Sequence, residues 1–284
     1  MSNLLIAPAI MTGLGLFFSV ILAVAYRFLK VQEDPRIEET EALLPGSNCG
    51  ACGQPGCHAF AQKLVQGDLK PSQCTVAGAE VIDAVAELLD VDPGQQERRV
   101  ARLRCAGGKA QAYQIAEYRG FENCRAAAVV SGGGKGCSWG CLGLGDCEVI
   151  CDFDAIKMNA NGLPEVDLAS CTACGDCVLA CPRNLFVLSP LAQKLFVKCS
   201  TPLRGDAAMA LCKVACDACG RCATDAAPGL IQMVENLPLV DYSAGGPARP
   251  DATFRCPTGA IQWLDDAQFS NDRSSITRGQ SRYA

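Results

Sequence analysis

Cysteine is the residue type with which this chain can do chemistry. The 284 residues include 20 cysteines and one histidine. The segment CTACGDCVLACP, from Cys171 to Pro182, has the C-x2-C-x2-C-x3-C-P spacing of bacterial iron–sulfur proteins. In that pattern three cysteines of one tight loop bind one [4Fe–4S] cluster, and the fourth binds the neighbouring cluster. The spacing therefore predicts one-electron transfer and a second cluster nearby.

A second group of cysteines precedes this segment with the looser spacing C-x3-C-x5-C-x3-C. We expect the last cysteine of each group to complete the site of the other group, because the pattern is reciprocal. The two expected ligand sets are Cys137, Cys141 and Cys147 with Cys181, and Cys171, Cys174 and Cys177 with Cys151.

A third group, CDACGRC, has Ala226 where the pattern requires a fourth cysteine. A cysteine there would serve a partner cluster, for which the following segment has no ligands. We expect Cys256 to complete the site instead, because it precedes a proline as Cys181 does, and Cys212 is the competing ligand. The expected set is Cys216, Cys219, Cys222 and Cys256.

Near the N-terminus, four cysteines with the spacing C-x2-C-x4-C-x16-C close one site within a single module. Four thiolates suit a [4Fe–4S] cluster and also structural zinc, so zinc is the alternative here. His58 follows one of these cysteines, but four thiolates complete the site without it. The expected ligands are Cys49, Cys52, Cys57 and Cys74.

Four cysteines stand outside these groups: Cys105, Cys124, Cys199 and Cys212. One interpretation makes them small buried apolar residues. The other makes them the ligands of a fifth cluster, where the two ends of the two-cluster domain meet. The sequence therefore predicts four [4Fe–4S] clusters and leaves a fifth as a hypothesis.

An uncharged, apolar segment runs from Leu4 to Tyr26 and is long enough, as a helix, to cross a bilayer. A signal peptide is the alternative, but the segment lacks a positive n-region and is too long for one. Arg27 and Lys30 follow the segment and no Lys or Arg precedes it. The positive-inside rule therefore predicts a single-pass protein of the inner (cytoplasmic) membrane with its cysteines on the cytoplasmic side. In that reducing compartment we expect cysteines to bind metal.

The composition predicts an α+β fold of small modules, each held by a metal site and not by one large core. We expect helices at HAFAQKLVQGD and AEVIDAVAELLD, and strand pairs at AIKMNANGLPEVD, at LFVL with KLFVK, and at LIQMVENLPLV. The predicted domains are a transmembrane helix (1–30), a linker (31–45), an N-terminal [4Fe–4S] module (46–92), a connector (93–123), a two-cluster ferredoxin-like domain (124–200), a degenerate ferredoxin-like domain with one cluster (201–264) and a disordered tail (265–284).

The charge pattern argues against nucleic acid as a partner. The net charge is −5, and we find no nucleic-acid-binding signature. The segment SGGGKG lacks the spacing of a phosphate loop, and we interpret it as a loop that approaches a cluster. The arginine-rich segment RRVARLR, residues 98–104, is either a solvated helix face or a docking patch for an acidic electron carrier.

The order of these features resembles a known family. An apolar helix, a CGACGxPGC module and the segment NCRAAAVVSGGGKGCSWGCLGLGDC, joined to ferredoxin repeats, resemble the long, clostridial-type form of the B subunit of Rnf complexes. Those complexes are ferredoxin:NAD oxidoreductases coupled to Na⁺ or H⁺ translocation. The resemblance extends to Trp263, whereas the first module alone is also similar to the iron–sulfur domain in the corrinoid protein of acetyl-CoA synthesis. This chain departs from the family in lacking a cluster motif before Cys256.

The resemblance implies an electron-transfer subunit of a translocase. Such a subunit accepts electrons from soluble, reduced ferredoxin and passes them to other membrane and peripheral subunits. The sequence has no nucleophile–base pair and no flavin or nicotinamide fingerprint, so we expect no catalytic site of its own. The alternatives are a polyferredoxin electron wire of another membrane redox complex, a zinc-rich interaction module, and a cluster-assembly or redox-sensing scaffold.

Overall fold

The computed structural model describes residues 3–29, 34–95, 97–243 and 246–265. The α-helices of this part are α1 Asn3–Leu29, α2 Pro35–Leu43, α3 Cys57–Val65, α4 Ala79–Leu89, α5 Cys124–Val129, α6 Asp146–Val149, α7 Asp176–Ala180, α8 Gly205–Met209, α9 Arg221–Asp225 and α10 Asp251–Phe254. The strands are β1 Arg99–Leu103, β2 Ile156–Met158, β3 Pro164–Val166, β4 Phe186–Pro190, β5 Leu195–Val197, β6 Ile231–Val234, β7 Leu237–Val240 and β8 Ile261–Trp263. The fold is therefore α+β, as the sequence predicts.

Helix α1 is mostly apolar, with Arg27 in its last turn, and none of its span from Ile10 to Phe28 is buried against the rest of the protein. Its length and composition suffice to cross a membrane. Such a helix can bury its side chains only in lipid or against another protein. The disordered tail predicted at the other end of the chain lies, apart from Asp265, outside the described residues.

Helices α2, α3 and α4 pack together as one N-terminal module. Their shared core includes Ile37, Phe60, Leu64 and Val85. The sequence predicts a linker over 31–45, but Pro35–Leu43 folds as α2. This helix begins with Pro35 at its first position. Asp34 is the N-cap, and its side chain accepts a hydrogen bond from the Arg36 amide. The linker prediction is therefore wrong for this segment, because Ile37 of the helix and Leu44 at its C-terminal cap are buried in the core of the module.

Strands far apart in sequence pair antiparallel in two small sheets. β1 pairs with β4, from Arg99 opposite Pro190 to Leu103 opposite Phe186, and β5 pairs with β8. Most of the segment 98–104 is therefore the strand β1 and not a helix face, and four of the five residues of β1 are buried. The sequence pattern predicts that β4 and β5 pair with each other, but each pairs with a distant strand instead.

Two hairpins complete the strand pairing. β2 and β3 pair around the turn at Asn161 and Gly162, and β6 pairs with β7. Both hairpins agree with the sequence prediction. The β2–β3 hairpin contributes Ile156 and Leu163 to a core that also contains Leu103, Leu185 and Phe186. This core surrounds several of the cysteines and thereby fixes the sites described next.

Candidate metal centres

Three of the cysteine groups share one local structure, in which a glycine in the left-handed backbone conformation precedes a short helix. Gly145, Gly175 and Gly220 have φ values of 81°, 95° and 71°, and they immediately precede α6, α7 and α9. A glycine adopts this conformation without the strain that a Cβ would bring. The second residue of each helix is a buried cysteine: Cys147, Cys177 and Cys222.

One site is built from the second ferredoxin-type segment and a cysteine of the first. Four thiols, of Cys151, Cys171, Cys174 and Cys177, line a space of about 330 Å³. Ala101 of β1 and Leu188 of β4 cover it, and the Ala101 amide donates a hydrogen bond to Cys171 Sγ at 3.4 Å. The structure thus brings together the set that reciprocity predicts for these residues.

The neighbouring site differs from the expected set in one ligand. A space of about 360 Å³ is lined by the thiols of Cys124, Cys141, Cys147 and Cys181. Cys181 lies here as predicted, but Cys124 takes the place that the spacing assigns to Cys137. The Cys124 amide, at the start of α5, donates to Asp146 Oδ1 at 2.8 Å, which fixes α5 against α6.

Cys137 lines a third space instead, at the junction of the two ferredoxin-like regions. This space of about 370 Å³ is lined by four cysteines: Cys105, Cys137, Cys199 and Cys212. Gly107 also lines it, and a Cβ added at Gly107 would lie only 2.8 Å from Cys212 Sγ. This supports the hypothesis of a fifth four-cysteine site at this junction. Its fourth cysteine is Cys137, whereas the sequence suggests Cys124.

The last site combines α9 and its preceding loop with Cys256, the second residue after α10. Burial raises the pKa of Cys216 to about 12 and that of Cys222 to about 11, and the nearby thiol of Cys256 adds to both shifts. Cys256 acts on Cys219 in the same direction. Arg255, which precedes Cys256, donates two hydrogen bonds to the Asp225 carboxylate at the end of α9. These bonds hold the segment of Cys256 against α9. The structure therefore places Cys256, and not Cys212, with this group.

The N-terminal site lies within its own module. Burial raises the pKa of Cys74, and Cys52 and Cys49 contribute to the shift in the same direction. Cys57, at the start of α3, packs against the same core as Cys74. His58 is not directed to this site, because Nδ1 contacts Glu41 Oε2 at 2.6 Å and Nε2 contacts the Gln62 amide nitrogen at 3.2 Å.

The chemistry of these donor sets fits a polynuclear cluster. In the part of the chain that the structure describes, no three Cys, His, Asp or Glu side chains are arranged around a single metal ion. Three separate spaces are each lined by four cysteines. Such an arrangement suits a cubane, whose four irons each take one thiolate.

The side chain of Arg102 supports the same conclusion. It is fully buried on β1, and its three guanidinium nitrogens have no hydrogen-bond partner among the described residues. Burial lowers the pKa of Arg102, and the neighbouring Cys171 opposes this shift most. A buried cation is costly without a compensating anion. A thiolate-ligated cluster on Cys171 carries the negative charge that would compensate it.

Comparison with protein families agrees with this chemistry. Residues 44–76 match the FeS family, described as an Fe–S cluster module, and residues 163–186 match the 4Fe-4S binding domain. The first range contains the N-terminal site, and the second contains the cysteines of CTACGDCVLACP. The chain has an apolar N-terminal helix followed by small α+β modules with four-cysteine sites. These features define the class of membrane-anchored iron–sulfur proteins of electron transport.

Individual relatives define the family within this class. The chain is 36% identical over 264 residues to the B subunit of the proton-translocating ferredoxin:NAD(+) oxidoreductase complex of Clostridium ljungdahlii, covering 92% of this chain and 93% of that protein. It is 36% identical over 242 residues to the B subunit of the ion-translocating oxidoreductase complex of Methanosarcina acetivorans, covering 85% and 92%. A third relative is the B subunit of the Na(+)-translocating ferredoxin:NAD(+) oxidoreductase complex of Acetobacterium woodii. It is 44% identical over 217 residues, which are 76% of this chain but only 65% of that protein.

The chain therefore belongs to the family of B subunits of ion-translocating oxidoreductase (Rnf) complexes. It is an electron-transfer subunit that carries [4Fe–4S] clusters and works with the other subunits of such a complex.

Proposed function

We propose that this chain accepts single electrons from reduced ferredoxin and passes them through five [4Fe–4S] clusters to other subunits of a complex that moves Na⁺ or H⁺. When bound, the clusters supply the one-electron carriers, at potentials of about −400 mV for ferredoxin-type sites. The protein's part is to hold these carriers close together and away from water.

The observation that carries the proposal is the continuous contact between four of the sites. Cys177, a ligand of the Cys151 site, and Cys147, a ligand of the Cys124 site, lie in the same buried core cluster. The Cys141 amide donates to Cys105 Sγ at 3.4 Å, which joins that site to the junction site. The Cys216 amide donates to Cys199 Sγ at 3.3 Å, which joins the junction site to the last. Each neighbouring pair is thus connected through a ligand.

Access from solvent favours one end of this series for exchange with a soluble carrier. Cys219 is exposed, whereas the other 19 cysteines are buried or half-buried. For that reason we assign the encounter with ferredoxin to this last site.

The arginine-rich segment forms β1 and the residues beside it. There the Arg98 and Arg99 side chains donate hydrogen bonds to the backbone carbonyls of Leu168 and Leu188.

The orientation in the membrane and the lack of a separate catalytic site belong to the same proposal. Arg27 in the last turn of α1 favours the cytoplasmic face of the membrane for everything that follows. In this proposal the cysteine thiols serve as cluster ligands and not as nucleophiles. We therefore assign electron transfer alone to this chain and hydride chemistry to its partners.

The test is anaerobic reconstitution followed by reduction. We expect about 20 irons per chain, four for each of five sites, with equal sulfide. Substoichiometric reduced ferredoxin should bleach the cluster absorption, and NADH without the other subunits should not. Direct reduction by NADH, or eight or fewer irons per chain, would contradict the proposal; zinc in place of iron would support the interaction-module alternative. Equal reduction by unrelated donors and failure to bind the partner subunits would instead support a wire of another redox complex.

A further inference from the structure

Lys135 is a buried cation between two of the candidate metal sites. Only 7% of the residue is exposed. Its Nζ donates to the carbonyl of Gly107 at 2.5 Å and to the carbonyl of Cys141 at 2.5 Å. Gly107 lines the junction space, and Cys141 is a ligand of the neighbouring site. The ammonium is therefore fixed at the boundary between the two spaces.

The ammonium of Lys135 lies close to ligands of both sites. Its Nζ donates to the Cys141 carbonyl, and Cys137 is two residues after Lys135 along the chain. A Cβ added at Gly140 would lie 3.3 Å from Lys135 Cε and 3.4 Å from Cys137 Sγ, so the lysine stem and this thiol share one face of Gly140. Among the described residues that line the junction space there is no carboxylate to cancel this charge.

The glycine-rich segment SGGGKG delivers this lysine. Ser131 and the three glycines after it all have positive φ values, so the chain turns tightly before Lys135. A Cβ at Gly134 would lie 2.1 Å from the Ala116 carbonyl oxygen, and the backbone can approach this closely only with glycine. Lys135 then forms an antiparallel bridge with Gln114. The segment thus fixes the position of Lys135 between the two sites.

We propose that Lys135 tunes two clusters of the chain, raising the reduction potential of each relative to the same site without the charge. The two ligand sets are Cys105, Cys137, Cys199 and Cys212, and Cys124, Cys141, Cys147 and Cys181. A positive charge in a low-dielectric interior lowers the energy of an added electron, and salt screens it little. Net charge near the cluster is one of the factors that set such potentials. The inference rests on the proposed function, because it needs clusters in both spaces.

The experiment is an EPR-monitored redox titration of the full-length, reconstituted protein. Lys135→Gln keeps an amide donor but removes the charge, and we expect two midpoint potentials to fall while the others stay. Lys135→Arg keeps the charge and should leave all midpoints near those of the wild type. Lys63→Met is the matched control, because Lys63 pairs with Asp68 on the surface of the N-terminal module.

A second variant, Gln114→Glu, leaves Lys135 and its two hydrogen bonds in place. Residues opposite each other in an antiparallel bridge direct their side chains to the same face, so the new carboxylate lies on the side of Lys135. We expect a smaller fall of the same two midpoints. If Lys135→Gln does not assemble both clusters, this variant decides alone. Unchanged midpoints in the deciding variant, or an equal fall in Lys135→Arg, would overturn the inference. Low iron in the wild type would instead contradict the proposed function.

Discussion

Cys124 and Cys137 lie on either side of one glycine-rich turn but line two different spaces. Cys124 starts α5 and is fixed to Asp146, whereas Cys137 follows Gly136, whose amide donates to the Tyr113 carbonyl at 2.9 Å. The chain from Tyr113 thus holds Cys137 toward the junction site. The two residues therefore exchange the places that consecutive spacing would give them.

This exchange can be tested with pairs of serine substitutions. Cys124→Ser with Cys181→Ser should remove or convert one cluster, because both residues serve one site. Cys137→Ser with Cys181→Ser should affect two clusters. Cluster counts from iron, sulfide and EPR spin quantitation distinguish the cases. The reverse pattern would restore the grouping expected from spacing alone.

Cys256→Ser should remove one cluster or convert it to a [3Fe–4S] form, because only three cysteines would remain at the last site. Cys212→Ser should affect the junction site and leave the last site intact. The measurement is the EPR spectrum of each variant together with its iron content. An unchanged spectrum in Cys256→Ser would show that this residue is not a ligand.

Gly107→Ala should impair the junction site selectively. The added methyl would lie 2.8 Å from Cys212 Sγ, and overpacking of this kind costs about 1–3 kcal/mol. We expect faster loss of about four irons to a chelator, with the remaining clusters retained. Gly78→Ala is the matched control, since a Cβ there meets nothing within 4 Å. Equal rates of iron loss in the two variants would argue against a cluster beside Gly107.

Deletion of Leu4–Tyr26 should release the chain from the membrane with its clusters intact. None of the cysteines precedes Cys49, and none of the helix from Ile10 to Phe28 is buried within the described chain. Membrane fractionation and the visible absorption of the soluble fraction check both parts of this prediction. Loss of the cluster absorption in the truncated protein would show that α1 supports the folded modules.

Local patterns in the sequence are sufficient to predict much of the fold. The run from Cys171 to Pro182 predicts its loop and short helix because the ligands and the left-handed Gly175 lie within a few residues of each other. The β2–β3 hairpin follows from Asn161-Gly162 in the same way. Ligand sharing with Cys151 is also within reach, because it follows from the spacing rule.

Non-local contacts are beyond the sequence pattern. β1 pairs with β4, which lies more than eighty residues further along the chain. The sequence pattern does not identify β1 as a buried strand, because it contains Arg102, a charged residue that the fold buries. Helix α2 has only a narrow apolar face and docks because α3 and α4 offer it a surface. Spacing assigns Cys137 to the wrong group because a tight glycine turn, and not the interval to the next cysteine, decides where its thiol lies.

The span of each ligand set along the chain also fixes the order in which the protein can mature. The N-terminal set closes within residues 49–74, so its metal can be inserted while the ribosome is still translating the rest. The junction set waits for Cys212, and the last set waits for Cys256, almost at the end of the described chain. A nascent chain interrupted before Cys256 therefore exposes three thiols with no fourth partner, a species open to oxidation and to quality-control proteases.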